Sequence, residues 1–217
     1  MDTKNFGLGE PSLVCRWRLA GRRVPMENRH LRALSARHIN GSQITVELVA
    51  WAKQHIEWTL MDGATAEPNG VLMIIVDTDG RAAMSVGPYT KLHAVDTATL
   101  VKRATLSRRE ANRTGVAPET LWMVSSKQLI VAANEDEQLS GAASLIVDLA
   151  QARHINVVFN GNVADAYDAE GAFLASDEHG IVPATDHTDM ISKMFAKDYE
   201  RLLLVTRRSD SGLQSLQ

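Results

Sequence analysis

Asp177, Glu178, His179, Asp186, His187 and Asp189 bring carboxylate and imidazole groups into one short stretch, the donor set that holds a divalent cation. The first three fall in a short loop between two strand-like runs. Loops are polar by default, so the loop reading is the simpler one. Asp77-Thr78-Asp79-Gly80 opens like a calcium loop but lacks the later ligands and the closing Glu, and reads as a hairpin turn. His55 lies on the apolar stripe of a helical pattern, where a satisfied core histidine is the ordinary case. Lys102, Arg103, Arg108, Arg109 and Arg113 make one helix basic, by default a solvated face. No Ser-His-Asp or Cys-His spacing supplies a nucleophile.

Those groups need elements to carry them. Leu13 to Arg18 reads as a strand, followed by a turn at Ala20 to Arg23 and a helix over Glu27 to His38 that stops at Asn40-Gly41. From Ser42 as cap, Ile44, Leu48, Trp51, Ala52, His55, Ile56 and Leu60 recur at helical steps up to Gly63. Gly70 to Asp77 and Arg81 to Val86 are two strands around a tight turn. Val71 to Val76 is apolar throughout, which predicts cover on both faces. Gly87 to Lys91 breaks the pattern and marks a domain boundary.

Beyond it, Asp96 or Thr97 caps a helix ending at Gly115. A strand pair (Leu121 to Val124, Leu129 to Ala132), a helix (Glu137 to Arg153), a strand (Asn156 to Phe159) and a short helix (Val163 to Tyr167) come next. A second strand pair (Ala172 to Ala175, Ile181 to Ala184) precedes a last helix from Thr188 to Leu204. Helices alternate with hairpins rather than single strands, which favours an α/β chain of the α+β kind with two domains, 12–88 and 92–205. Residues 1–11 and 206–217 read as frayed tails.

The composition fits a globular chain: 217 residues, 45% apolar and 23% charged. Cys15 is the only cysteine, which rules out an internal disulfide or a multi-cysteine zinc site. A net charge of -3 favours neither nucleic acid nor an anionic membrane. No apolar run is long enough to span a bilayer, and a cytoplasmic setting is expected.

Four segments, in order over residues 13 to 190, resemble the class IV aminotransferases, the fold-type IV pyridoxal-phosphate enzymes that include branched-chain and D-amino-acid aminotransferases and aminodeoxychorismate lyase. They are Arg16-Trp-Arg-Leu-Ala-Gly-Arg-Arg through Arg29-His-Leu-Arg32; Ser107-Arg-Arg-Glu-Ala-Asn-Arg-Thr-Gly115 with Glu119-Thr-Leu-Trp; Leu139-Ser-Gly-Ala-Ala-Ser through Ala150; and Ala164-Asp-Ala-Tyr through Gly180-Ile-Val-Pro-Ala184. The resemblance implies a shortened two-domain fold, pyridoxal phosphate in the cleft between the domains, and a homodimer.

It also shows departures. The family's Schiff-base lysine falls on Thr97, which cannot form an aldimine; Lys91 and Lys102 are the nearest substitutes. The strand motif holding the acid for the pyridine nitrogen is absent. The implied phosphate cup falls on Arg32, on Gly141-Ala142-Ala143 and on Ser176-Asp177. Arg32 takes the arginine place when counted from Gly21; counted from His30, the place goes to Ala33. The helix start at Gly141 offers free amides for an anion, whereas the family's neighbouring Thr and Arg have become Ala143 and Ser144. Asp177 and Glu178 stand where the family has hydroxyls, and carboxylates there repel a phosphate.

Three functions follow. The first is an aminotransferase-like protein with a degenerate site and no cofactor. A second is a divergent pyridoxal-phosphate aminotransferase or lyase using Lys91 or Lys102. In the third, the interdomain cleft binds a different small ligand or a partner, the acidic Asp177 and Glu178 favouring a cation.

Overall fold

The computed structural model describes residues 7–61, 64–187 and 189–214. The expected helix stop at Gly63, the expected helix start at Thr188, and residues 1–6 and 215–217 of the two tails lie outside them. Strand β1 (Pro11–Arg18) pairs antiparallel with β4 (Val71–Asp77), which pairs with β5 (Ala82–Gly87). Leu13, Cys15 and Trp17 of β1 and Leu72, Ile74 and Val76 of β4 form one face. That face packs on Leu31 and Leu34 of α1 (Glu27–Ser35) and on Ala52 and Ile56 of α2 (Val46–Thr59). Met73 and Ile75 are only half-buried, so β4 is fully covered on one face rather than both.

The second sheet runs β10-β9-β6-β7-β8, from β6 (Glu119–Ser125), β7 (Gln128–Val131), β8 (Val157–Val158), β9 (Gly171–Ser176) and β10 (Gly180–Pro183). Only the β7–β8 pair is parallel within it. Alternation sends Trp122, Val124, Phe173 and Ala175 to one face, against α4 (Gly141–Ala152) and α5 (Met190–Gln214). Leu121, Met123, Ala172 and Leu174 go to the other, against Leu100 and Ala104 of α3 (Thr97–Thr114). Both faces are covered, which is why β6 and β9 read as continuous buried runs. Burying a side chain such as Phe173 is worth about 1.5–3 kcal/mol.

Four boundaries differ from expectation. α1 ends at Ser35, because Asn40 (φ 50°) and Gly41 (φ 78°) form the two-residue turn of a hairpin between β2 (His38–Ile39) and β3 (Ser42–Gln43). Ser42 is therefore in a strand, and Thr45 caps α2 by accepting from Leu48 N at 3.3 Å. α4 starts at Gly141 rather than Glu137, since Ser140 supplies the cap. α5 continues through residues 206–214, expected as a frayed tail: polar residues without a proline do not stop a helix. Asp96 does cap α3, Gly115 (φ 84°) ends it, and Val163–Tyr167 forms the short helix as a 3-10 turn. No helix among the described residues is long and apolar enough to cross a membrane.

Candidate functional site

The turn between β9 and β10 is tightened by the Ser176 hydroxyl, which accepts from Glu178 N at 3.3 Å and His179 N at 3.1 Å. That turn aims Asp177 at the start of α4. Asp177 Oδ1 accepts from Ala142 N at 2.8 Å, and the carboxylate is buried. The Ala143 amide is turned to the Ser140 hydroxyl at 3.4 Å. The amides expected to be free at Gly141 are thus engaged by the protein's own oxygens, and the helix dipole is met by a built-in anion.

His30 closes the other side. Its Nδ1 lies 3.3 Å from Asp177 Oδ2, outside ordinary hydrogen-bond geometry, and its ring stacks on Trp17 with centroids 5.0 Å apart. Gly141 permits this approach: a Cβ there would lie 2.4 Å from His30 Nδ1. Burial by itself would raise the Asp177 carboxyl. His30, the Ala142 N–H and Arg37 outweigh it and hold the group below the ordinary carboxylate range.

Beside Asp177 and Ser176, a cavity of about 340 Å³ opens between β1, α3 and the β9–β10 turn. Its three glutamates are paired with arginines. Arg16 binds Glu178 through two bonds of 2.6 and 2.8 Å, and Arg103 binds Glu119 through bonds of 2.9 and 2.6 Å. The buried Arg37 reaches Glu110 at 3.4 Å and the Thr114 hydroxyl at 3.3 Å. The expectation that Asp177 and Glu178 leave an acidic cleft for a cation is therefore corrected: one carboxylate is held by an amide, the other by a bidentate arginine.

Thr97, expected from the resemblance at the family lysine's place, is buried in the first turn of α3. Its N–H and its hydroxyl both donate to Asp186 Oδ1 at 2.8 Å. Lys91 and Lys102 are exposed. Arg32 is also exposed, and its guanidinium makes no hydrogen bond or ion pair among the described residues; it is Arg29 that reaches α4, at Ser144 Oγ (3.2 Å) and Asp148 Oδ2 (2.5 Å). The six acid and imidazole groups singled out at the start are dispersed. Asp186 serves Thr97, the His187 ring meets Ala169 O, and Asp189 caps α5 through Ile191 N and Ser192 N. No three metal-ligating side chains gather among the described residues. Asp77 organises the β4–β5 turn, accepting from Gly9, Asp79 and Arg81. His55 is half-buried, stacked on Trp51 with its Nδ1 at Trp51 O.

Reading by residue type missed His30, Arg29 and Arg37, and took Arg103, which binds Glu119, for part of a solvated face. His30 and Arg29 lay inside a quoted segment, but their partners are more than 100 positions away, and no local spacing announces such a contact.

No family model matches the chain, and no curated protein matches it in sequence. Solved structures do match in shape. A putative branched-chain amino acid aminotransferase from Thermotoga maritima aligns with a TM-score of 0.59 at 13% identity, covering 94% of this chain and 93% of that one. A hypothetical aminotransferase from Mycobacterium tuberculosis in its PLP-bound form also scores 0.59 at 13% identity, covering 97% and 96%. A putative 4-amino-4-deoxychorismate lyase from Legionella pneumophila scores 0.58 at 12% identity, covering 93% and 97%. The chain has the fold of the fold-type IV aminotransferases and aminodeoxychorismate lyases.

Pyridoxal phosphate, which that fold implies, does not fit the residues present. A phosphate at α4 needs the Ala142 amide that Asp177 already holds, and would face its buried carboxylate. Thr97, where the resemblance expects the lysine amine, offers a hydroxyl already committed to Asp186.

Proposed function

We propose that this chain is an aminotransferase-fold protein with a degenerate cofactor site, one that does not carry out transamination through pyridoxal phosphate. The observation that carries this reading is the Asp177 carboxylate on the Ala142 amide, an internal anion at the helix start where the resemblance puts the cofactor's phosphate. The Thr97–Asp186 contact supports it from the other end of the site. What remains at the cleft is a set of paired charges, Arg16 with Glu178, Arg103 with Glu119 and Arg37 with Glu110, suited to holding sheet and helix together rather than to proton transfer. The protein acts as a cytoplasmic homodimer in this reading. Light scattering that gives a single 23.8 kDa chain overturns the dimer without touching the site.

The test is a visible absorbance titration with pyridoxal phosphate, followed by borohydride and intact mass. The expected result is no saturable band and no reduced adduct. A saturable, borohydride-reducible band removed by Lys91→Ala or Lys102→Ala establishes the rival enzyme reading instead.

A further inference from the structure

A second cavity, also of about 340 Å³, lies between residues 89–95, β10 and α5. It falls at the small end of the range for small-molecule sites. One wall is polar, made by Arg18, Tyr89, His179 and Tyr199; the other is hydrocarbon, from Ile181, Val182 and Leu203 among others.

Six side-chain polar atoms among the described residues are buried without a hydrogen-bond partner. Three of the six, Arg18 Nη1, His179 Nδ1 and Tyr199 Oη, belong to residues lining this one cavity. Leaving such a group unpaired costs about 1–3 kcal/mol, and folded proteins rarely tolerate it. Three around one space are a standing demand for a ligand's polar atoms.

The charge balance says which kind. Arg18 lies over the Tyr89 ring at 3.4 Å from its centroid and has no carboxylate within ion-pair distance among the described residues. Glu178, the acid that acts on it, is held bidentately by Arg16. Lys91 stands at the rim, and Arg207 adds a further positive field. Glu200 is the one acid of the lining, and it is exposed. Burial drives the Tyr199 phenol up, so it keeps its proton and can donate. It also lowers His179, leaving a neutral ring with one N–H to give.

We propose that this cavity binds a small organic carboxylate with an apolar tail, its head on Arg18 and Tyr199 and its tail along Ile181, Val182 and Leu203. The proposal does not rest on the fate of the cofactor site. A pyridoxal phosphate adduct overturns the degenerate-site reading and leaves this one standing.

The test is isothermal titration of the full chain with benzoate and hexanoate, with benzamide and hexanamide as uncharged controls and inorganic phosphate as a head without a tail. At least one carboxylate is expected to bind one to one, with a Kd below about 1 mM. Its amide and phosphate should not bind. Arg18→Met should weaken it at least about tenfold, and Tyr199→Phe by less. Should Arg18→Met fail to fold, Leu203→Trp, which narrows the apolar wall, is expected to abolish binding at unchanged circular dichroism. The proposal is overturned if neither carboxylate binds, if the amides bind equally well, if phosphate alone binds, or if affinity survives the substitutions.

Discussion

Asp177 Oδ1 lies 2.8 Å from the amide nitrogen of Ala142, so a turn residue of one hairpin caps the first turn of a helix through a residue 35 positions earlier in the chain. The pair ties β9–β10 to α4, and through His30 and Trp17 it also ties both to β1 and α1. A residue type that would weaken a phosphate site here strengthens the fold.

Asp177→Ala leaves the Ala142 N–H buried and unpaired. Chemical denaturation should show a loss of about 1–3 kcal/mol, with Asp177→Asn losing less because its amide oxygen can still accept. Equal losses for the two would contradict the hydrogen bond.

The same carboxylate sets a pH dependence. Its folded pKa is below the unfolded value of about 3.9, so its contribution is present above about pH 4 and is lost as pH falls through the folded value. Denaturation curves of wild type and Asp177→Asn should therefore diverge above pH 4 and converge in stronger acid. Convergence towards neutral pH would reverse the sign and refute it.

Gly141→Ala adds a methyl 2.4 Å from the His30 ring, which Trp17 prevents from swinging away. A helical glycine-to-alanine change ordinarily gains up to about 1 kcal/mol. Here thermal unfolding should show a net loss of about 1–3 kcal/mol, the range for overpacking a core. A raised Tm would show that His30 moves freely.

Lys91→Ala and Lys102→Ala remove exposed side chains, and each should change stability by less than about 0.5 kcal/mol. Thr97→Lys should give no reducible adduct with pyridoxal phosphate, because the anion place at α4 stays filled, and should destabilise the chain by opening the Asp186 contacts. Mass spectrometry after borohydride reads both effects of the lysine changes on cofactor capture.

Local signals carried most of the fold. Asp96 and Gly115 bracket α3, and Leu13 to Arg18 reads as a strand that the structure shows within β1. The misplaced end of α1 and the misplaced cap of α2 share a cause: a strong punctuator with two meanings. Asn40-Gly41 stops a helix or turns a hairpin, and only the pairing of His38 with Gln43 decides between them. At the site, the resemblance directed attention to Thr97, Ala143 and Asp177, whose contacts the structure then describes. What could not be read was the replacement interaction, since the 142–177 contact spans 35 residues and the 30–177 contact spans 147. The charge pairs of the cleft were hidden for the same reason: Arg16 and Glu178 are 162 positions apart.

In the proposed function, Asp177 occupies the anion place at the start of α4 and keeps pyridoxal phosphate out. The measurement closest to it follows the Ala142 amide resonance by NMR while pyridoxal phosphate is added to the isotopically labelled protein. The resonance should stay where it is in the wild type through millimolar cofactor. A saturable shift of that resonance, accompanied by a visible absorbance band, would mean that the cofactor displaces the carboxylate and that the site is alive.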